Sequence, residues 1–377
     1  MTDYPISVYI TTATLGYGTG GGSVSYNEAL ALNTHTEMQL VLCAEEGPAL
    51  EGLFGKPSPS TDLVPVESIN PAKYWPGGFP PFMWDYFACR KIRELPHIVH
   101  IRGDPFGGVV RLIRAWERYE VSEESRYPCQ IIVSCPAHDL EESIREFERF
   151  GQKYPWNHMT DPFLWEMHTE HIVKANVVIC PSNYSRNYLI KKLHLQEKQV
   201  IVIPHGHNPP ADIVAMPQQF TVGCLGQSGP DKGHIYLVQA WNKLKQDGFD
   251  GKILLAGDAT EGWGGMGRVK HPSEIYNGCT VYVQPSVTEG FGLPVLEAMG
   301  YARPVIVTST TGASELVVDG VNGFVVPPRS PEAIAEKIKY LHDNPNEVYK
   351  MSAAARDRSM DYTWEKMREK YAEVYRK

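Results

Sequence analysis

Short β-rich runs alternate with helical patterns along almost the whole chain, and the alternation starts twice. In the first half the strand-like runs are Ser7–Thr11, Met38–Cys43, Ile98–Ile101, Ile131–Ser134, Val177–Cys180 and Val200–Ile203. Helical stretches such as Val24–Ala31 and Ser185–Leu193 lie between them. In the second half the runs are Phe220–Leu225, Lys252–Ala256, Val281–Gln284, Pro304–Thr308 and Gly323–Val325. A strand followed by a helix reaches its next strand by a crossover, so this order predicts parallel sheets covered by helices, an α/β fold. The polar stretch Pro204–Gln218, with Pro209-Pro210 and Pro217, can continue neither a helix nor a sheet and marks the join of two units. At 377 residues the chain is also too long for one ordinary core.

Two segments stand apart from the alternation. The C-terminus reads as two helices, Pro331–His342 and Ser352–Arg376. Residues 141–168 begin helical at Glu141–Phe150, then turn aromatic and loop-like from Tyr154 to Trp165. A long aromatic insertion of this kind serves equally as a substrate-facing loop or as cover for a sheet edge.

Composition narrows the function classes. With 42% hydrophobic and 21% charged residues the chain is an ordinary globular one, not a disordered one. No apolar run approaches the ~18 residues of a membrane span, and the start lacks the basic residues of a signal peptide, so the cytoplasm is the expected location. The seven cysteines are odd in number, form no CxxC and in part lie in apolar runs (Cys43, Cys180, Cys224), which predicts free thiols. A net charge of −8 argues against nucleic acid and anionic membranes as partners, since both need clustered Lys and Arg.

Ligands of open α/β sheets bind beyond the carboxyl ends of strands. The segment Glu289-Gly290-Phe291-Gly292-Leu293-Pro294-Val295-Leu296-Glu297 closely follows the strand-like run Val281–Gln284 and Pro285-Ser286. Pro294 suits the first position of a helix, where its missing N–H would be unpaired anyway. Gly290 and Gly292 allow a sharp turn and a close backbone approach to a ligand. The helix start then offers unpaired amides and a partial positive charge, a seat for phosphate. Two carboxylates flanking that seat repel phosphate and suit neutral hydroxyls instead. A ribose diol on one side and a sugar ring on the other is the layout of a nucleoside diphosphate sugar. Either glutamate alone reads as a plain loop or helix-start charge; the whole string does not.

In this string and beyond it the chain resembles the family 4 retaining glycosyltransferases of the GT-B fold, whose hallmark is two glutamates with seven residues between them. The similarity includes Gly20-Gly21-Gly22-Ser23, Ala137-His138-Asp139, Ala175–Ser182 and Ile203-Pro204-His205-Gly206. It continues through Gly226–Gly233, Leu255-Ala256-Gly257-Asp258 and Tyr362-Thr363-Trp364-Glu365. The resemblance implies two Rossmann-like domains facing across a cleft. Residues 1–208 would form the acceptor domain and 209–357 the nucleotide-sugar domain, with a C-terminal helix of about 358–377 crossing back to the first.

The resemblance also implies roles. Glu297 would bond the ribose hydroxyls, Glu289 the transferred sugar, and the backbone from Gly290 through Phe291, Gly292 and Leu293 the sugar and diphosphate. Lys232 would neutralise the diphosphate, Gly21 and Gly22 would cap it from the other domain, and His138 would lie near the donor sugar. Arg102 and Asp104 follow a strand and either face the acceptor or are simple loop charges. One position departs from the pattern: five residues before Lys232 the family carries an arginine, and here stands Gln227. Glutamine donates a hydrogen bond but brings no charge and no bidentate fork; Arg268 is a candidate substitute for that charge.

A retaining, metal-independent transfer of a hexose-type sugar follows from the resemblance, with no cofactor. The co-substrate would be a UDP- or GDP-linked sugar, and the acceptor a glycan, a lipid-linked glycan or a small molecule. A noncatalytic nucleotide-sugar-binding subunit, or a GT-B phosphorylase or epimerase, are the alternatives. The sequence leaves the oligomeric state open.

Overall fold

The structure, a computed structural model, describes residues 8–12, 42–43, 98–102, 130–135, 137–155, 169–226, 229–257 and 265–376. The first sheet contains β1 (Val8–Thr12), β2 (Leu42–Cys43), β3 (Ile98–Arg102), β4 (Gln130–Ser134), β5 (Val177–Cys180) and β6 (Val200–Val202), in the order β2-β1-β3-β4-β5-β6. The second contains β7 (Thr221–Leu225), β8 (Lys252–Ala256), β9 (Val281–Gln284), β10 (Val305–Thr308) and β11 (Gly323–Val326), in the order β11-β10-β9-β7-β8. Every pairing within the two sheets is parallel. The alternation in the sequence thus gives two parallel α/β sheets, as expected. The second sheet is doubly wound, and its strand order reverses between β7 and β9, the crevice where such sheets bind ligands.

Local chemistry fixes the described helices. α1 (Leu140–Arg149) starts at Asp139, whose carboxylate accepts from the amide of Glu142, and α2 (Asn183–Leu193) starts at Ser182, whose hydroxyl accepts from the amide of Ser185. Such caps satisfy amides that the first helical turn leaves unpaired. α3 (His234–Gln246), α4 (Ser273–Gly278), α5 (Leu293–Gly300) and α6 (Pro331–Asp343) cover the second sheet. All four residues of β9 and of β10 are buried, as strands covered on both faces must be.

The expected single helix Ser352–Arg376 is two: α7 (Pro345–Ser359) and α8 (Trp364–Tyr375). The break has a cause outside the segment. The linker crosses there, with His207 N–H donating to Tyr362 O at 3.0 Å and Trp364 N–H donating to His207 O at 3.4 Å. A Cβ on Gly206 would lie 2.3 Å from Trp364 N, so only glycine lets the two backbones pass. Thr363, freed from the helix, caps α8 with its hydroxyl.

α8 packs on the first sheet. His100 of β3 hydrogen-bonds Tyr375 Oη at 2.6 Å through Nδ1 and Ser134 Oγ at 2.7 Å through Nε2. Trp364, Met367 and Tyr371 share a core cluster with Ile98, Ile132 and Ile179. A second bridge between the units runs from α1 to the loop after β11. Arg329 donates to Glu146 at 2.6 Å and pairs with Glu142 at 2.5 Å, while the Tyr236 hydroxyl of α3 donates to Glu146. Cys135, Cys180, Cys224 and Cys279 are free, and burial pushes the Cys180 and Cys279 thiols up to about 12. Among the described residues no helix is long and apolar enough to cross a membrane.

Candidate active site

The loops after β7 and β9 are stitched together at the reversal of strand order. After β7 a single 3-10 turn, Pro230–Lys232, leads to Gly233 in the left-handed region at φ 67°. A Cβ there would lie 2.0 Å from Pro285 O, so the turn presses directly on the end of β9. Val287 N–H donates to Asp231 O at 2.7 Å. This seam brings Lys232 to Glu289, whose Oε2 accepts from Nζ at 2.6 Å. Their side chains are 23% and 25% exposed, so the pair is shielded but reachable.

Electrostatics follow from that contact. Burial by itself would push the Glu289 carboxyl up; the Lys232 ammonium outweighs it, and the net shift is below the ordinary value. Burial likewise works against the Lys232 charge, but Glu289 and Asp231 hold the ammonium above its usual range. His138 stands in the same field. Burial and then Lys232 lower its pKa against the opposing pull of Glu289, Asp231 and Asp139, so the imidazole is neutral at pH 7. Its Nε2 is buried and has no hydrogen-bond partner, which leaves a polar atom aimed at nothing but a ligand or water.

The string between the two glutamates is gripped by the first unit. Asp139 N–H donates to Thr288 Oγ1 at 3.0 Å, and Tyr184 Oη shares a hydrogen bond with the same hydroxyl at 2.8 Å. The Ser182 and Ser185 hydroxyls donate to Gly290 O at 2.6 and 3.1 Å. The close approach expected at Gly290 is therefore made, on its carbonyl side, by serines of α2. The Phe291 ring is buried and meets His205 edge-on at 5.0 Å. Ser143 of α1 donates to Asp231 Oδ2 at 2.8 Å, which ties the lysine turn to the first unit as well. These contacts place the carboxyl ends of the two sheets face to face.

α5 begins at Leu293 with Gly292 as its cap at φ 89°, so Pro294 takes the second helical position and not the first. The change is small in effect, because amides in the first turn are unpaired in either case. Phe291 and Leu293 bury their side chains. Glu297 lies in the second turn. Its Oε2 accepts from the Tyr276 hydroxyl at 2.6 Å, and burial raises its pKa, with the tyrosine opposing.

Lys232, Glu289, His138 and the Gly290–Leu293 backbone are thus brought to one region. Arg102 ends β3 in register with Ser134; Gly21, Gly22, Asp104, Gln227 and residues 156–165 lie outside the described residues. Arg268 is described and exposed. Sequence reasoning missed Tyr276, Thr288 and the Ser143–Asp231 contact. Nothing marks Tyr276 in the sequence as one of 20 tyrosines, whereas Ser182 was already part of a family-like segment.

Comparison with known proteins gives the family and the fold. The family described as Glycosyltransferase Family 4 matches residues 20–209, and that described as Glycosyl transferases group 1 matches residues 219–344. A capsular polysaccharide biosynthesis glycosyltransferase, CapM of Staphylococcus aureus, is 35% identical over 138 residues, 32% of this chain and 36% of its own length. Trehalose synthase of Pyrococcus horikoshii is 26% identical over 267 residues, 64% of this chain and 61% of its own. The chain therefore spans less than two thirds of these relatives' length. Among solved structures, sucrose-phosphate synthase of Thermosynechococcus elongatus superposes with a TM-score of 0.71 at 18% identity, covering 98% of both chains. Anabaena HepE in complex with UDP-glucose gives 0.68 at 17%, covering 98% of this chain and 99% of its own. With one family match taking in half of its residues and the other all of its second sheet, the chain belongs to glycosyltransferase family 4 and has the GT-B fold.

Proposed function

We propose that the protein transfers a hexose-type sugar from a nucleoside diphosphate sugar to an acceptor hydroxyl, with retention at the anomeric carbon and without a metal ion. The observation that carries this reading is the Lys232–Glu289 pair at 2.6 Å, set where the strand order reverses and beside the amides of the α5 start. A cation and helix amides at one point suit a diphosphate, and the adjoining carboxylate suits sugar hydroxyls. Residues 209–357 would hold the donor, and residues 1–208 with the terminal helix the acceptor. The acceptor would be a glycan, a lipid-linked glycan or a small molecule.

In the reaction the acceptor oxygen attacks the anomeric carbon from the face on which the diphosphate departs. The bond from that carbon to the β-phosphate oxygen breaks, and the acceptor proton passes to that oxygen. Lys232 and the α5 amides stabilise the charge that develops on the leaving group, the role that preorganised donors fill in such sites. Neutral His138 offers its unpaired Nε2 to the donor sugar, and Glu289, once its lysine turns to phosphate, accepts from sugar hydroxyls.

The test is incubation with UDP- and GDP-linked hexoses and a panel of acceptors, followed by NMR of the product. Nucleoside diphosphate release that depends on acceptor, with the anomeric configuration kept, supports the proposal. An inverted product overturns retention. Donor binding with no transfer to any acceptor would assign a binding subunit instead.

A further inference from the structure

The family resemblance implies that Glu297 bonds the ribose but says nothing of how its carboxylate is aimed. A glutamate side chain has three rotatable bonds, so one that recognises a diol needs to be fixed by its neighbours. Here the fixing group is visible. Tyr276 is 1% exposed and donates its hydroxyl to Glu297 Oε2 at 2.6 Å. Among the described residues the Glu297 carboxylate takes no other hydrogen bond, so Oε1 is left for a ligand.

Tyr276 is itself held from two directions. Its ring meets Tyr282 edge-on at 5.7 Å and Tyr301 at 5.3 Å. Its carbonyl accepts from Arg303 Nε at 2.7 Å, and the Arg303 guanidinium, 1% exposed, also donates to Val214 O at 2.9 Å. Tyr282 in turn ties its hydroxyl to the end of β7, donating to Leu225 O at 3.0 Å. The phenol therefore has little freedom, and neither has the carboxylate oxygen it holds.

We propose that Tyr276 is a positioning residue of the nucleotide seat: by fixing Oε2 of Glu297 it presents Oε1 to the ribose hydroxyls, and so makes the site distinguish ribose from deoxyribose. This rests on the reading of Glu297 as the ribose ligand. The phenol also supports the ionised carboxylate, which burial opposes. Without it the carboxyl would titrate at higher pH and nucleotide binding would weaken earlier on acidification.

The experiment compares UDP with 2′-deoxy-UDP, and GDP with 2′-deoxy-GDP, by calorimetry across pH 5–8. The proteins are the wild type, Tyr276→Phe, Glu297→Gln and the double variant. Tyr276→Phe keeps the ring contacts, and a melting curve confirms that it folds. The wild type should prefer the ribonucleotide by about tenfold or more. Tyr276→Phe should lose most of that preference while deoxynucleotide affinity holds, and its acid limb should move up in pH. The double variant should bind no worse than Glu297→Gln, because the phenol acts through the carboxylate. Tyr276→Phe that keeps the preference while Glu297→Gln abolishes it overturns the positioning role and leaves the ribose reading standing. Equal weakening toward both sugars overturns it too, since that is what a purely structural tyrosine would do. A wild type without preference, or an innocuous Glu297→Gln, overturns the ribose reading itself, and the proposal with it.

Discussion

Lys232 Nζ donates to Glu289 Oε2 at 2.6 Å across the seam between the loops after β7 and β9. The cation assigned to the diphosphate and the carboxylate assigned to the sugar therefore neutralise each other before any ligand arrives. In the proposed reaction the lysine turns to the diphosphate, which replaces one of its charge-assisted bonds with another. The exchange leaves Glu289 free for hydroxyls at the moment the sugar arrives.

The first consequence concerns Lys232→Ala. If the ammonium carries leaving-group charge, kcat should drop by ~10²-fold or more, while donor affinity changes less. Steady-state rates of nucleoside diphosphate release measure this. Turnover close to that of the wild type would take Lys232 out of the mechanism.

Stability should report the same pair through pH. The Glu289 carboxyl titrates in the folded protein below its ordinary value, which is about 4.3 when unfolded. Its contribution to stability is then complete above that value and is lost as pH falls through the folded pKa. Melting temperatures of the wild type and Glu289→Gln should thus differ by a constant amount near neutrality and converge below about pH 4. A difference that persists unchanged into strong acid would mean the pair is not what depresses Glu289.

His138 should behave as a neutral, buried donor or acceptor. Its pKa lies below the ordinary 6.5, with burial the larger cause and Lys232 the next. An NMR titration should place the imidazole midpoint below the ordinary 6.5, and any acid limb it gives to kcat/KM should lie below that pH as well. His138→Ala should lower kcat/KM by about tenfold, the worth of one buried hydrogen bond, while UDP or GDP affinity stays near that of the wild type. Protonation of His138 above pH 6.5 would contradict this picture.

The two parallel sheets were readable because strand–helix alternation is a local signal. The division of α7 from α8 was not. Residues 352–376 are helical by period, and what breaks them is His207, more than 150 positions away in the chain, which bonds the backbone at Tyr362 and Trp364. The site divides along the same line. Glu289 and Glu297 announce themselves by spacing and by the glycines and proline between them. Tyr276, Ser143 and Thr288 act only through contacts made in three dimensions, and side chains of their type are common in any sequence. The pairing of Lys232 with Glu289 belongs with these, since it depends on Gly233 turning beneath Pro285.

A charge cluster outside the donor site also bridges the two units. Glu146 of α1 is fully buried and receives hydrogen bonds from Arg329 at 2.6 Å and from the Tyr236 hydroxyl, both supplied by the second unit. Removing one partner of a buried ion pair is costlier than removing both, because the remaining charge stays desolvated. Arg329→Met should therefore destabilise the protein by about 3 kcal/mol, the lower end of such losses, because Tyr236 still donates to Glu146 and Arg149 stays 3.5 Å from it. Adding Glu146→Gln should restore part of that loss. Urea denaturation measures both effects, and small-angle scattering measures whether the units separate. In Arg329→Met the radius of gyration should rise without ligand and fall again on adding nucleoside diphosphate, if closure is what the cluster favours. An unchanged radius in a folded Arg329→Met protein would show that the remaining contacts between the units, among them those of Ser182, Ser185, Thr288 and Ser143, hold them together without Arg329.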